Sequence, residues 1–289
     1  MTDFIAVTGA TGGLGGRIAR RLADAGVAQR LVVRDPARAP ALPGAQVAVA
    51  GYGPALGKAL DGVDTLLFVS AAEDADRVAL HTASIDAAVA AGVSRIVYIS
   101  FLGAAPHATF TFARDHWHTE EHVRATGVAY TFLRDSLYLD FFPLFVGDDL
   151  VIRGPGGSGC VAGVARDDIA DVAARVLLSG GAHDGRRYDL TGPEAFTFAD
   201  AARELSRAAG REISYHDETL AEAYASRAGY GAPDWIVAGW VSTYAAVAAG
   251  ELDVVTDAVE TIAGHRPMSL AEYLAANPSA VAKLRSVGA

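Results

Sequence analysis

Residues Thr8-Gly9-Ala10-Thr11-Gly12-Gly13-Leu14-Gly15-Gly16 put five glycines into nine positions, between an apolar run (Phe4–Thr8) and an alanine-rich stretch of helical length (Leu14–Ala25). Gly9 suits a tight turn, Gly12 lets backbone approach a pyrophosphate, and Gly15 lets the helix pack close to the strand. The helix start adds free N–H groups and a partial positive charge that favour phosphate. A strand before the glycines and a helix after them are the context a dinucleotide fingerprint requires. The pattern therefore predicts a dinucleotide cradle made of Gly9, Thr11, Gly12, Gly13, Leu14 and Gly15.

The rhythm continues from there. Strand-like runs at Arg30–Arg34, Gln46–Ala50, Thr65–Val69, Arg95–Ser100 and Ala129–Arg134 alternate with helical candidates at Pro54–Leu60, Arg77–Ala91 and Asp115–Thr126. Near-continuous apolar strands separated by helices predict a parallel sheet covered on both faces. Right-handed crossovers make that sheet doubly wound. After Arg134 the alternation loosens. Gly154–Gly159 reads as a loop, Asp167–Leu178 and Thr197–Ala209 as helices, Tyr188–Leu190 and Ile213–His216 as short strands, and Leu220–Ala249 as mostly helical. The predicted fold is α/β: a Rossmann-type doubly wound parallel sheet with a smaller, mostly helical C-terminal substrate lobe. The expected division is residues 1–150 for the nucleotide-binding domain, with later segments returning to it. Residues 151–289 form a lobe that does not fold independently.

Composition narrows the functional classes. Of 289 residues, 51% are hydrophobic and 20% charged, which excludes a disordered chain. A formal net charge of −10 argues against nucleic-acid or anionic-membrane binding. A single cysteine, Cys160, excludes an intrachain disulfide and fits a reducing, cytoplasmic setting. It is expected to be a small buried residue near the cleft, without a partner base. No basic leader precedes Phe4, and no apolar run reaches the ~18 residues of a membrane span. A monomer or homodimer is expected.

The end of the second strand selects the cofactor. An acidic side chain there favours NAD through the ribose 2′-hydroxyl, whereas an arginine holds a 2′-phosphate. Arg34 lies nineteen residues past Gly15, with Arg38 close by and Asp35 next to it. The expectation is NADP(H), with NAD(H) as the alternative.

Taken together, these residues resemble the NmrA-like branch of the atypical short-chain dehydrogenases, and within it the NADPH-dependent quinone reductases and triphenylmethane-dye reductases. The resemblance runs through Thr8–Gly15, Val33-Arg34-Asp35-Pro36, Leu67-Phe68-Val69-Ser70, Arg95–Ser100, His116 with Thr119-Glu120, and Tyr130–Arg134. It continues through Tyr138, Phe141-Phe142 and Phe196–Ala209. It implies that Tyr52 lies near the adenine, that Ser70, Ala71 and Ala72 run beside the ribose and diphosphate, and that Ser100, Phe101 and Leu102 flank the nicotinamide. One departure is Gly51, where the family often has Asp.

Many short-chain dehydrogenases pair a proton-donating Tyr with a Lys four residues on. Here those positions are Phe112 and His116. Phe112 cannot transfer a proton, and His116 becomes the candidate catalytic residue, bonding a ribose or a substrate oxygen. A quinone is a ready hydride acceptor, so proximity and orientation suffice. The candidate substrate pocket comprises Phe112, Ser136, Leu137, Tyr138, Phe141, Trp240 and Tyr244, with Phe142, Phe145 and Trp235 as further aromatic walls for a flat aromatic substrate. Asp115, Glu120 and Glu121 read as a solvated helix face, and Arg134–Asp135 as a structural contact. His118 and His122 lack further ligands, so no metal is expected. The expected activity is NADPH-dependent hydride transfer to a quinone or related conjugated aromatic. The alternatives are oxidative tailoring of an aromatic natural product in the same cleft and a non-catalytic dinucleotide sensor.

Overall fold

The computed structural model describes residues 4–286. Its centre is a seven-stranded, wholly parallel sheet. The strands are β1 (Ile5–Thr8), β2 (Gln29–Val33), β3 (Ala45–Val49), β4 (Thr65–Val69), β5 (Arg95–Phe101), β6 (Ala129–Asp135) and, later in the chain, β9 (Arg186–Leu190). Between them in sequence fall two short strands, β7 (Val151–Gly154) and β8 (Cys160–Val161). The sheet order is β3-β2-β1-β4-β5-β6-β9, so the winding reverses between β1 and β4. Ligands of open α/β sheets gather at that switch point.

Strand residues alternate between two cores, as a period of two demands. Val7, Leu31, Leu67, Val97 and Leu133 face one side, where helices α1 (Gly15–Asp24) and α5 (Arg166–Leu178) cover them with Ile18, Leu22, Ile169 and Val172. Ala6, Val32, Leu66, Phe68, Tyr98 and Phe132 face the other side. There they meet α2 (Leu56–Ala59), α3 (Arg77–Ala90) and α4 (Thr111–Thr126). Arg21 ties α1 to α5 through Asp171 (2.6 Å) and Asp167 (3.1 Å).

The remaining elements are β10 (Phe196–Thr197), α6 (Phe198–Ala209), β11 (Ser214–Asp217), α7 (Leu220–Arg227), α8 (Asp234–Ala248), α9 (Ala258–Ala263), α10 (Leu270–Ala276) and α11 (Ala282–Ser286). A third core, around Phe142, Ile152, Phe198, Leu205, Tyr244 and Leu274, holds this lobe together. Two-stranded pairs, β10 with β8 and β11 with β7, brace it. Capping boxes at Thr197/Asp200, Thr219/Glu222 and Ser269/Glu272 start three of its helices. The two parts are interleaved: β9, α5 and α9 all lie beyond residue 150 yet complete the central sheet and its cover.

Several boundaries differ from the sequence expectation. β2 stops at Val33, leaving Arg34 just beyond the sheet edge. α4 starts at Thr111, not Asp115, so Phe112 and His116 share one helix face. The expected Leu220–Ala249 helix breaks between α7 and α8, where Gly231 adopts φ +65° and Pro233 lacks a donor.

Candidate functional site

At the C-terminal edge of β1 the glycines form the expected strand-to-helix turn. Gly9 has φ +63°, and its carbonyl oxygen accepts from Gly12 N–H at 2.8 Å. A Cβ on Gly15 would collide with that same carbonyl, which is why no larger residue fits there. The N–H groups of Gly13 and Leu14 carry no hydrogen bond among the described residues and open into a groove. Gly9, Thr11, Gly12, Gly15, Arg34, Tyr52, Ser70, Ala71 and Ala72 line the groove, whose volume is about 230 Å³. Free donors at a helix start, over glycines that keep the approach clear, fit a dinucleotide diphosphate.

The far wall of the groove is held by hydrogen bonds. The Tyr52 hydroxyl donates to Val69 C=O (2.6 Å), and Thr8 Oγ1 accepts from Val69 N–H (2.9 Å). Ala71 is clamped on both sides: its N–H donates to His81 Nε2 (3.0 Å) and its C=O accepts from Arg77 Nε (3.1 Å). Because His81 Nε2 accepts, its proton sits on Nδ1, which meets Thr119 Oγ1 at 2.9 Å. Burial, with Arg77 adding to it, pushes His81 down to about 3, so the ring is neutral.

At the mouth of the groove Arg34 is exposed and has no partner among the described residues. Asp35 next to it is occupied: its carboxylate accepts from Ala37 N–H (3.0 Å) and caps the turn Pro36–Arg38. The acidic neighbour that complicated the cofactor reading is thus engaged by its own backbone.

The groove opens into a larger cavity of about 990 Å³. Its walls include Ser100, Phe101, Phe112, His116, Ser136, Leu137, Tyr138, Phe141, Trp240 and Tyr244. Leu102 does not belong among them. It is 3% exposed and packs into the C-terminal core, because the chain turns inward after β5. Phe142 likewise lies wholly in that core, and Trp235 backs onto Phe112 (ring centroids 6.1 Å apart) without reaching the cavity. Phe145 does line it. Cys160 is partly exposed on β8 and outside the cavity lining, in contrast to the buried cleft position expected.

His116 is held from both sides. The Arg77 guanidinium donates to Nε2 (3.2 Å), which leaves the ring proton on Nδ1, facing the Tyr98 hydroxyl (2.8 Å). Burial, then Arg77, His81 and Arg134, push His116 well below its usual value. It is a neutral ring with both nitrogens engaged, one of them by the Arg77 guanidinium. Arg77 also faces Asp115 (3.6 Å) and lines the cavity.

Two sequence readings are overturned on α4 and β6. Glu120 is not on a solvated face; it is fully buried and binds Arg134 in a fork, at 2.7 Å through each oxygen. Ser100 Oγ donates to it as well (2.6 Å). Arg134 therefore pairs with Glu120 and not with Asp135. Asp135 turns the other way, accepting from the Tyr138 hydroxyl at 3.0 Å.

Arg77 and Arg166 are two of the cavity residues that sequence reasoning missed. Arg166 starts α5, lies over the rings of Tyr138 and Phe141 (4.9 Å each), pairs with Asp140 (3.2 Å) and reaches the open side of Gly13. His122 Nε2 is spent on Asp86 (2.7 Å). Among the described residues no three His, Cys, Asp or Glu side chains are grouped to hold a metal ion, and no helix is long and apolar enough to cross a membrane.

A glycine turn at the switch point of a parallel sheet, beside a groove lined by its backbone, defines the class: a dinucleotide-binding protein of Rossmann type. Residues 9–179 match a family described as NAD(P)H-binding. The chain is 35% identical to quinone oxidoreductase 2 of Escherichia coli K12 over 278 residues, covering 93% of this chain and 96% of that protein. It superposes on an NADPH-dependent quinone oxidoreductase of E. coli complexed with NADPH with a TM-score of 0.86 at 33% identity, covering 94% and 99% of the two chains. The triphenylmethane reductase of Citrobacter sp. gives a TM-score of 0.84 at 31% identity, covering 95% and 99%. The chain belongs to the NAD(P)H-binding family, and quinone oxidoreductase 2 is a relative alike over nearly its whole length.

Proposed function

We propose that this protein is an NADPH-dependent reductase of quinones or related conjugated aromatic compounds. The observation that carries the reading is the cavity of about 990 Å³ adjoining the dinucleotide groove, walled by Phe101, Phe112, Tyr138, Phe141 and Trp240. Flat aromatic acceptors gain both area and stacking against such walls. The E. coli quinone oxidoreductase and the Citrobacter dye reductase, both alike over nearly the whole chain, support the same class of acceptor.

The residues divide the work. Gly13 and Leu14 N–H groups receive the diphosphate, with Tyr52 and the clamped Ser70–Ala72 segment forming the opposite wall. Arg34, unpaired at the end of β2, takes the 2′-phosphate and sets the preference for NADPH. Arg77, seated on His116, presents a fixed positive charge between groove and cavity. Phe112 stands where other short-chain enzymes have their tyrosine, packed against Gly239 of α8. Bound NADPH supplies the hydride; the chain supplies proximity, orientation and exclusion of water.

The test is NADPH oxidation by purified protein with a panel of quinones, in air and without oxygen, with products followed by mass. Quinone-dependent oxidation in both conditions, yielding hydroquinone, is expected. Turnover only in air with an oxygen atom added shows aromatic hydroxylation instead. Tight NADPH binding without turnover shows a sensor.

A further inference from the structure

At the end of β6 the structure holds an acid that the hydride chemistry above does not use. Asp135 is 1% exposed and has no cation partner among the described residues, because the neighbouring Arg134 is committed to Glu120 on the other face of the sheet. Its Oδ1 is buried with no hydrogen-bond partner among the described residues. Its Oδ2 meets a single group, the hydroxyl of Tyr138, at 3.0 Å. Tyr138 in turn lines the cavity, and so does Ser136, whose buried Oγ also lacks a partner. A buried carboxylate with one neutral hydrogen bond and no counter-ion is not a stable arrangement; the group neutralises instead. Burial accordingly drives the Asp135 carboxyl well above its usual range, with the Tyr138 hydrogen bond opposing this. Burial, and then Asp135, push the Tyr138 hydroxyl well above its usual value, so it holds its proton at rest; Arg166, over its ring, and Arg77 oppose that rise and favour a phenolate if one forms.

We propose that Tyr138 is the proton donor of the reduction and that Asp135, behind it, returns the proton. This rests on the reductase reading. A quinone that has received hydride, and with it two electrons from the reduced dinucleotide, is a hydroquinone monoanion lacking one proton. The Tyr138 O–H bond breaks and the substrate O–H bond forms. Asp135 then gives its carboxylic proton to the Tyr138 oxygen and is left as a carboxylate. Solvent reaching the cavity restores that proton through Tyr138 before the next cycle. NADPH, quinone and one proton thus become NADP⁺ and hydroquinone. The pair does the protonation that Phe112, also on the cavity lining, cannot.

A cationic triphenylmethane dye is the internal control, since hydride addition to a carbocation gives a neutral product and needs no proton. In Tyr138→Phe the ratio of kcat for a quinone to kcat for the dye should fall at least about tenfold, below the usual range for general acid catalysis because quinones are easy acceptors. Wild-type quinone turnover should slow in D2O, and Tyr138→Phe should lose that dependence. An infrared difference spectrum between wild type and Asp135→Asn, without substrate, should show the carbonyl stretch of a protonated carboxylic acid at pH 7. Equal losses for quinone and dye, an isotope effect that survives in Tyr138→Phe, or the absence of the carboxylic band overturns the proposal. A wild type that binds NADPH yet reduces neither quinone nor dye overturns the reductase reading, and the relay with it, while the infrared band still reports on Asp135.

Discussion

The Arg77 guanidinium donates to Nε2 of His116 across 3.2 Å, and that contact decides what the histidine can do. A ring that accepts from arginine on one side and faces the Tyr98 hydroxyl on the other has no proton to offer the cavity. His116→Ala should therefore act through Arg77. Loss of a hydrogen bond to a charged group is worth about 1.5–3 kcal/mol, so kcat/KM should fall roughly ten- to a hundredfold. The shape of its pH profile between pH 6 and 8 should not change, because His116 is held neutral well below that range. A limb near the usual histidine value, present in wild type and gone in the variant, would restore His116 as the titrating group.

Arg34 is exposed at the end of β2 with no hydrogen bond or ion pair among the described residues, while Asp35 is turned to its own backbone. Arg34→Ala should weaken NADPH binding by about ten- to a hundredfold, the worth of a charge-assisted contact, and leave NADH binding nearly unchanged. Fluorescence titration with both nucleotides measures this. Equal losses would remove the 2′-phosphate role.

His81 makes stability depend on pH in a direction that can be worked out. Its folded value, about 3, lies below the unfolded value of about 6.5. Below pH 6.5 the unfolded chain takes up a proton that the folded chain refuses. The stability from the neutral ring is complete above that pH and is lost as pH falls toward 3. At pH 5 the loss is about 2 kcal/mol. Urea unfolding of His81→Gln should show a pH 7 to pH 5 decline shallower than wild type by about that amount. Identical declines would show that the ring titrates normally.

Glu120 and Arg134 form a buried fork shared with Ser100. Removing one partner leaves the other charge buried and uncompensated, at a cost of about 3–5 kcal/mol. Glu120→Ala should lose that much stability in urea unfolding. A change below about 1 kcal/mol would mean that Arg134 finds water or another acid.

The site was unevenly legible in the sequence. The glycine turn and the strands around it follow from local chemistry, since Gly9 and Gly15 answer steric demands set within a few residues of themselves. Arg77 was invisible for the opposite reason: it meets His116 from 39 residues away, across the gap between two helices. Glu120 was misjudged although a signal existed. Phe112, His116, Thr119, Glu120 and Val123 recur at helical spacing and all are buried, so periodicity placed the acid inside. What periodicity cannot supply is the partner, and a buried acid without a visible partner was assigned to solvent. Leu102 shows the converse error, a residue carried by chain position into a cavity from which the backbone turns away.

The late arrival of β9 bears on how the protein is made. β6 leaves the ribosome about fifty residues ahead of β9. At ordinary rates of synthesis, roughly 5–20 residues per second, the delay lasts about 3–10 s. Throughout it, one side of Ala129–Asp135 is an open row of backbone donors and acceptors on an apolar strand. A nascent chain stalled or cut near residue 150 is thus a sheet with a raw edge, a substrate for chaperones or for its own copies, and not a smaller version of the enzyme.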